Sequence, residues 1–216
     1  GLGELPMDGP MPAVLNALSR TQDVAALPLL LQGLTDRARG AREAALRGVV
    51  RLHDEHPDEQ VRTAVVRAVA ALPEPTVRSS VRALLEAEPP ARAAAALLLG
   101  WSGRRDVMRP LVLALGDSHP EVAQAAGRAV AALGGPALES LCELCPELDG
   151  RHRAAIYAFF GDIADALLSG ALPQAGATTV SRVQALLRDG LADRHGDAAR
   201  QAARALRGIG GKETLE

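Results

Sequence analysis

Residues 104–135 read RRDVMRPLVLALGDSHPEVAQAAGRAVAALGG, and their spacing decides the fold. Val107, Leu111 and Leu115, with Val112 and Leu113 beside them, put a broad apolar face on one helix. Pro110 falls in or near its first turn, where a missing N–H is tolerated. Asp117 sits in the connection. Ser118 and Glu121 have the spacing of a capping box, with Pro120 inside the same first turn. The second helix carries apolar residues at Val122, Ala125, Ala126, Ala129, Val130 and Leu133. Gly134-Gly135 stops it and Pro136 opens the next element. The stretch is therefore an antiparallel helical hairpin, and such a pair buries its apolar faces only with copies of itself on either side.

Those copies are present. The second-helix template shifted back by 61 residues gives Val61, Ala64, Val65, Ala68, Val69 and Leu72, apolar at every place. Others begin at Ala41 and at Ala91, the latter with Ser102 as its one mismatch. After the reference copy come Ile156, Phe159, Phe160, Ile163, Ala164 and Leu167, then a last copy from Ala199. First helices fit before most of these, at 76–87, 136–144 and 178–191. Only 20 residues separate Ala41 from Val61, so the earlier helix is expected to serve as the first helix of the next pair. Met11 to Leu18 reads as an N-terminal capping helix. Asp23 is placed to cap a helix over 24–34, with Pro28 in the role of Pro110 and Asp36 in that of Asp117. The segment 168–179 is a loop by composition and is expected to interrupt the stack as its mobile part.

Composition agrees. Of 216 residues 48% are hydrophobic but only 2% aromatic, so the core is built from Ala, Leu and Val and the chain is all-α. The net charge of −2 argues against a generic nucleic-acid or anionic-membrane binder. No apolar run approaches the roughly 18 residues that span a bilayer, and no signal peptide is visible. Two cysteines are too few for a disulfide framework, which suits a cytoplasmic protein. Lys212 is the only lysine beside many Arg, Ala and Gly, a bias that suggests a GC-rich bacterial genome. Residues 1–22 are expected to be lead-in plus capping helix, 23–210 the repeat domain, and 211–216 a tail left by cloning.

A hairpin with Asp in its turn, recurring about every 30 residues, resembles the short bacterial HEAT repeat, the phycobilisome-lyase-type HEAT-like repeat. That family places an apolar residue and then Arg near the start of the second helix. Ala41-Arg42, Val61-Arg62, Ala91-Arg92 and Ala199-Arg200 match; Val122-Ala123 and Ile156-Tyr157 depart. The turn acid matches at Asp36, Asp117, Asp149 and Asp193. The resemblance implies an armadillo-like α-solenoid, a right-handed superhelix of about six antiparallel hairpins. Its second helices would line a concave face that binds other proteins.

Candidate residues for that face are Arg62, Arg67, Arg92, Gln124, Arg128 and Arg153. The simpler reading of Arg42, Arg62, Arg92 and Arg200 is structural, each guanidinium pairing with a turn carboxylate or carbonyl. Arg67, Gln124 and Arg128 lie later on their helices and are the better candidates to face outward. His53-Asp54-Glu55-His56 holds potential metal ligands, but at a connection where solvated charge and capping are expected. Cys142 and Cys145 form a lone C-x-x-C without the strand–turn–helix setting of a redox pair, so buried free thiols are expected. Tyr157, Phe159 and Phe160 are three of the four aromatics and read as packing; the fourth, Trp101, ends a helix near Gly100 and Gly103 and is expected to be partly exposed.

No catalytic, cofactor-binding or metal-ligating set stands out. The reading is a non-enzymatic scaffold or protein-interaction domain with a protein partner, no membrane and no small-molecule substrate. The alternative is an enzyme or enzyme subunit on the same stack, resembling the alkylpurine DNA glycosylases or the bilin lyases. The former needs a basic groove with aromatics. The specialised site is expected where the repeat weakens, between Asp149 and Thr178.

Overall fold

The computed structural model describes residues 11–21 and 23–210. The lead-in at 1–10 and the tail at 211–216 lie outside the described residues. Thirteen α-helices and no strand occur among the described residues. They fall into two compact units that divide between Gly103 and Arg104, where the repeat pattern alone marks a single repeat domain. Within each unit helical hairpins stack as in an α-solenoid.

The first unit holds α1 (Met11–Leu18), α2 (Leu27–Gly33), α3 (Arg39–Asp54), α4 (Glu59–Ala70), α5 (Glu74–Glu86) and α6 (Pro89–Trp101). Asp23 does cap as expected, accepting from the Ala25 N–H at 2.9 Å, but what it opens is a 3₁₀ turn, Val24–Ala26, that leads into α2. The hairpin α2/α3 packs directly on α5/α6, with α3 against α6. The Ser79 hydroxyl, on α5, donates to the Leu34 carbonyl at the end of α2, 2.8 Å away. Helix α1 closes the other side. Its Leu15 is fully buried, and a Cβ on Gly33 or Gly48 would collide with Leu15 or with Leu30 and the Ser19 backbone.

This corrects the pairing expected from the spacing. Helix α3 is not the first helix of a pair with α4; it is a second helix whose next counterpart is α6. Helix α4 is an extra helix lying against both. A copy with an apolar residue at every template place thus lies outside the ladder. Val65 and Val69 are buried, while Ala64 is exposed. The Ser102 mismatch, by contrast, is buried where the template puts it, its hydroxyl satisfied by the Leu99 carbonyl at 2.6 Å.

The second unit holds α7 (Met108–Leu115), α8 (Pro120–Leu133), α9 (Gly135–Leu144), α10 (Gly150–Asp162), α11 (Ala164–Leu168), α12 (Ala177–Gly190) and α13 (Gly196–Ile209). It has two layers. Helices α7, α9 and α12 form one; α8, α10 and α13 form the other, with α10 tight against α13. The capping box expected at Ser118 does not form. The N-cap of α8 is His119, and the turn is closed by Asp117, whose Oδ1 accepts the His119 N–H at 2.9 Å. The same acceptor geometry recurs at Asp36 with Ala38, Asp58 with Gln60 and Asp193 with His195, each acid capping its own backbone two residues on, whereas Asp149 accepts the His152 N–H three residues on, at 3.0 Å.

The loop after α11 is docked on the fold. Gly134 (φ +70°) and Gly135 stop α8 and also admit this loop: the Gly135 N–H donates to the Pro173 carbonyl at 2.7 Å. A Cβ on either glycine would overlap a loop carbonyl, that of Pro173 or of Gln174.

Candidate functional site

Four helices, the extra helix α4 among them, share one register fixed by their N-caps. Counting from Ala38, Asp58, Glu88 and Asp149, the fourth residue is Arg42, Arg62, Arg92 and Arg153. All four do the same thing. Arg42 Nη1 donates to the carbonyls of Asp36 and Arg37 at 2.7 and 2.8 Å, and Arg62 Nη1 to those of His56 and Pro57 at 2.7 and 3.1 Å. Arg92 Nη1 donates to the Ala87 carbonyl at 3.0 Å, and Arg153 Nη1 to that of Leu148. The guanidinium ties the turn to the helix that follows it. The carbonyls belong to the helix's own connection. Arg200 stands five residues after its N-cap His195, misses the turn carbonyls and pairs with exposed Asp197 at 3.1 Å.

This register also moves two copies. The α10 copy starts at His152, one turn earlier than the aromatic spacing suggests, and the α13 copy at Ala198, one residue earlier. Arg153 is therefore the turn arginine of α10, and Arg200 lies outside this register.

Arg153 also grips Asp193 with two bonds, Nε to Oδ2 at 2.6 Å and Nη2 to Oδ1 at 2.7 Å. Only 5% of the Asp193 side chain is exposed. The Arg153 hydrogen bonds hold the Asp193 carboxyl well below the usual range, down to about 2. Beside this pair lie the buried side chains of Tyr157 and Cys145. Burial raises the Cys145 thiol to about 11 and Cys142 to about 12, so both are free, protonated thiols near neutrality. The cluster is an internal clasp joining α10 to the turn before α13.

The outward candidates behave differently. Gln124 and Arg128, both exposed on α8, rim a groove between α8 and α10 that encloses about 520 Å³. Its floor is apolar: Ala123 and Ala131 from α8, Ala155, Ala158 and Phe159 from α10, and Ile163 just beyond. Small residues keep it open. Phe159 reaches α8 at Gly127, where a Cβ would come within 3.3 Å of its ring. A second, smaller hollow of about 100 Å³ continues across α10 to α13, lined by Ala158, Asp162, Gln201 and Arg204. Arg67 lines a separate hollow along α4 with Gln60 and Thr63.

His53 and His56 take unrelated roles. His53 Nδ1 lies 2.7 Å from Asp54 Oδ1, and its ring faces Trp101, half-buried, with centroids 4.2 Å apart. That cross-helix pair joins α3 to α6, and spacing within either helix gives no sign of it. His56 Nδ1 accepts from the Asp58 N–H at 3.1 Å. No cluster of three or more metal-ligating side chains exists among the described residues. None of the described helices is long and apolar enough to cross a membrane.

The family model for HEAT repeats matches residues 83–159, from α5 through α10. These hairpins are HEAT repeats. No curated protein matches the chain. Among solved structures, it is similar to an engineered protein, structural-genomics target OR329, at 16% identity, TM-score 0.49, over 97% of this chain and 93% of that one. A designed armadillo repeat protein, YIII(Dq)4CqI, shows 15% identity and TM-score 0.49, over 94% and 96%.

Proposed function

We propose that this chain is a non-enzymatic scaffold that binds a protein segment on the face formed by α8, α10 and α13. The groove between α8 and α10 carries the reading. HEAT hairpins ordinarily close against their neighbours, as α10 does against α13; here Ala, Gly and one Phe leave an apolar floor open to solvent. Apolar clefts with a few polar residues at the rim are where binding energy concentrates. Of the six candidates, Gln124 and Arg128 stand at this rim. Arg62, Arg92 and Arg153 direct guanidinium bonds inward, to turn carbonyls and Asp193. Free thiols and the Arg-for-Lys bias fit a bacterial cytoplasmic setting.

The test is site-specific photocrosslinking in cells, with a photoreactive residue at Ala158 in the groove or at Ala185, exposed on α12. The expected result is one protein captured through Ala158, absent at Ala185 and lost when Ala131→Trp fills the groove. Equal capture at both positions, or capture indifferent to the filled groove, overturns the proposal.

A further inference from the structure

The face of α8, α10 and α13 has a charge pattern that narrows the chemistry of its partner beyond the apolar floor, provided that the groove is a binding surface as proposed. Counting nine residues from the N-caps His119, Asp149 and His195 gives Arg128, Ala158 and Arg204. One repeat position thus presents arginine, alanine and arginine across three successive second helices. Arg128 and Arg204 are both exposed. Ala158 lies in both the groove toward α8 and the hollow toward α13, so the two depressions meet at its methyl group. Two side chains flank this centre as amides, Gln124 on the α8 side and Gln201 on the α13 side. Asp162, exposed and one turn on from Ala158, is the acid shared by both depressions.

We infer that this face takes a segment with an apolar side chain at its centre and an acidic residue on each side. The apolar side chain seats on Ala155, Ala158 and Phe159, and the acids pair with Arg128 and Arg204. Packed helices lie about 8–10 Å apart, as α10 and α13 do, and the groove holds α8 farther from α10, so the two arginines stand at least about 20 Å apart, a span of about six or more residues of extended chain. Planar guanidinium groups suit carboxylates, which they can bind through two bonds. The amides of Gln124 and Gln201 have donors and acceptors for the backbone of an extended segment. Asp162 keeps acids off the centre and leaves them to the two edges. A nucleic acid fits less well, because Asp162 and the apolar floor interrupt the positive track that a phosphate backbone follows between the two arginines.

The test is selection from a displayed random twelve-residue peptide library on the intact chain. Fluorescence anisotropy then follows with the winners, and with a single-stranded DNA oligonucleotide as a competing probe. The expected winners carry an acid, an apolar residue and a second acid. They should bind at least tenfold more weakly to Arg128→Glu/Arg204→Glu and to Ala131→Trp, with helicity of both variants checked by circular dichroism. Winners with neutral or basic flanks that still lose binding to Ala131→Trp overturn this charge rule and leave the groove reading standing. No winner, or winners indifferent to the filled groove, overturns both. Tight, salt-dependent binding of the oligonucleotide that displaces the peptides also overturns the inference.

Discussion

Arg153 on α10 holds both carboxylate oxygens of Asp193, in the turn before α13, at 2.6 and 2.7 Å. Asp193 spends a third interaction on its own turn, accepting the His195 N–H at 2.9 Å. One carboxylate therefore closes a turn and bolts it to the previous hairpin. Asp193→Asn keeps the size but loses the charge, and is expected to cost about 1–3 kcal/mol of unfolding free energy. The pH dependence has a fixed sign. The folded carboxyl is depressed to about 2, below the ordinary Asp value near 4. Its stabilisation is thus fully present above the unfolded value and is lost as pH falls through the folded one. Urea unfolding at pH 7, 4 and 2 should show the gap between the parent and Asp193→Asn shrinking toward pH 2. A gap that stays constant counts against the clasp.

The turn arginines form an internal comparison. Arg42 and Arg62 each donate to two carbonyls of the preceding turn, whereas Arg200 reaches only an exposed acid. Replacing Arg42 or Arg62 with Ala is expected to cost about 1–2 kcal/mol, since a charged donor leaves turn carbonyls unmet. Arg200→Ala should fall within about 0.5 kcal/mol of the parent, as exposed pairs contribute little. Chemical denaturation of the three variants separates a structural series from a surface one; three equal losses would contradict the register set by the N-caps.

Much of this is legible in the sequence. The hairpin at 104–135, the Asp in each turn and the all-α core follow from local spacing, and Gln124 and Arg128 stand out as polar side chains between the apolar positions of an Ala-rich helix. What the spacing hides is non-local. In α10 Ile156, Phe159 and Phe160 imitate the template one turn late, because Phe159 and Phe160 satisfy it in either register. Only the N-cap at Asp149 fixes the phase and exposes Arg153 as the repeat arginine. The groove is hidden for a related reason: alanines at 123, 131, 155 and 158 read as close packing until the separation of α8 from α10 is known.

Helix α4 shows how a perfect pattern misleads, and gives a sharp test. Ala44 and Ala64 occupy the same template place, six residues after the N-caps Ala38 and Asp58. Ala44 is fully buried between stacked hairpins, and Ala64 is exposed. Ala44→Lys should unfold the first unit, because it forces an unpaired charge into the core. Ala64→Lys should change stability by no more than about 0.5 kcal/mol. Thermal melts followed by helical circular dichroism decide it; comparable losses would return α4 to the ladder.

The double glycine at 134–135 is the seat of the loop after α11. Gly134 has a positive φ and a loop carbonyl where its Cβ would go, and Gly135 has the same obstruction. Gly170, at φ +71°, has the same kind of backbone but open space around it. Alanine at 170 therefore meets only the backbone penalty, about 1 kcal/mol. Alanine at 134 meets that penalty and must also push the Pro173 carbonyl away, breaking the Gly135 N–H bond to it. Its loss should be larger, about 2–4 kcal/mol. Limited proteolysis should then cut near Pro173 in Gly134→Ala faster than in Gly170→Ala, because the loop loses its dock. Equal cutting and equal stability in the two variants would mean that the loop is held by something other than the glycine pair.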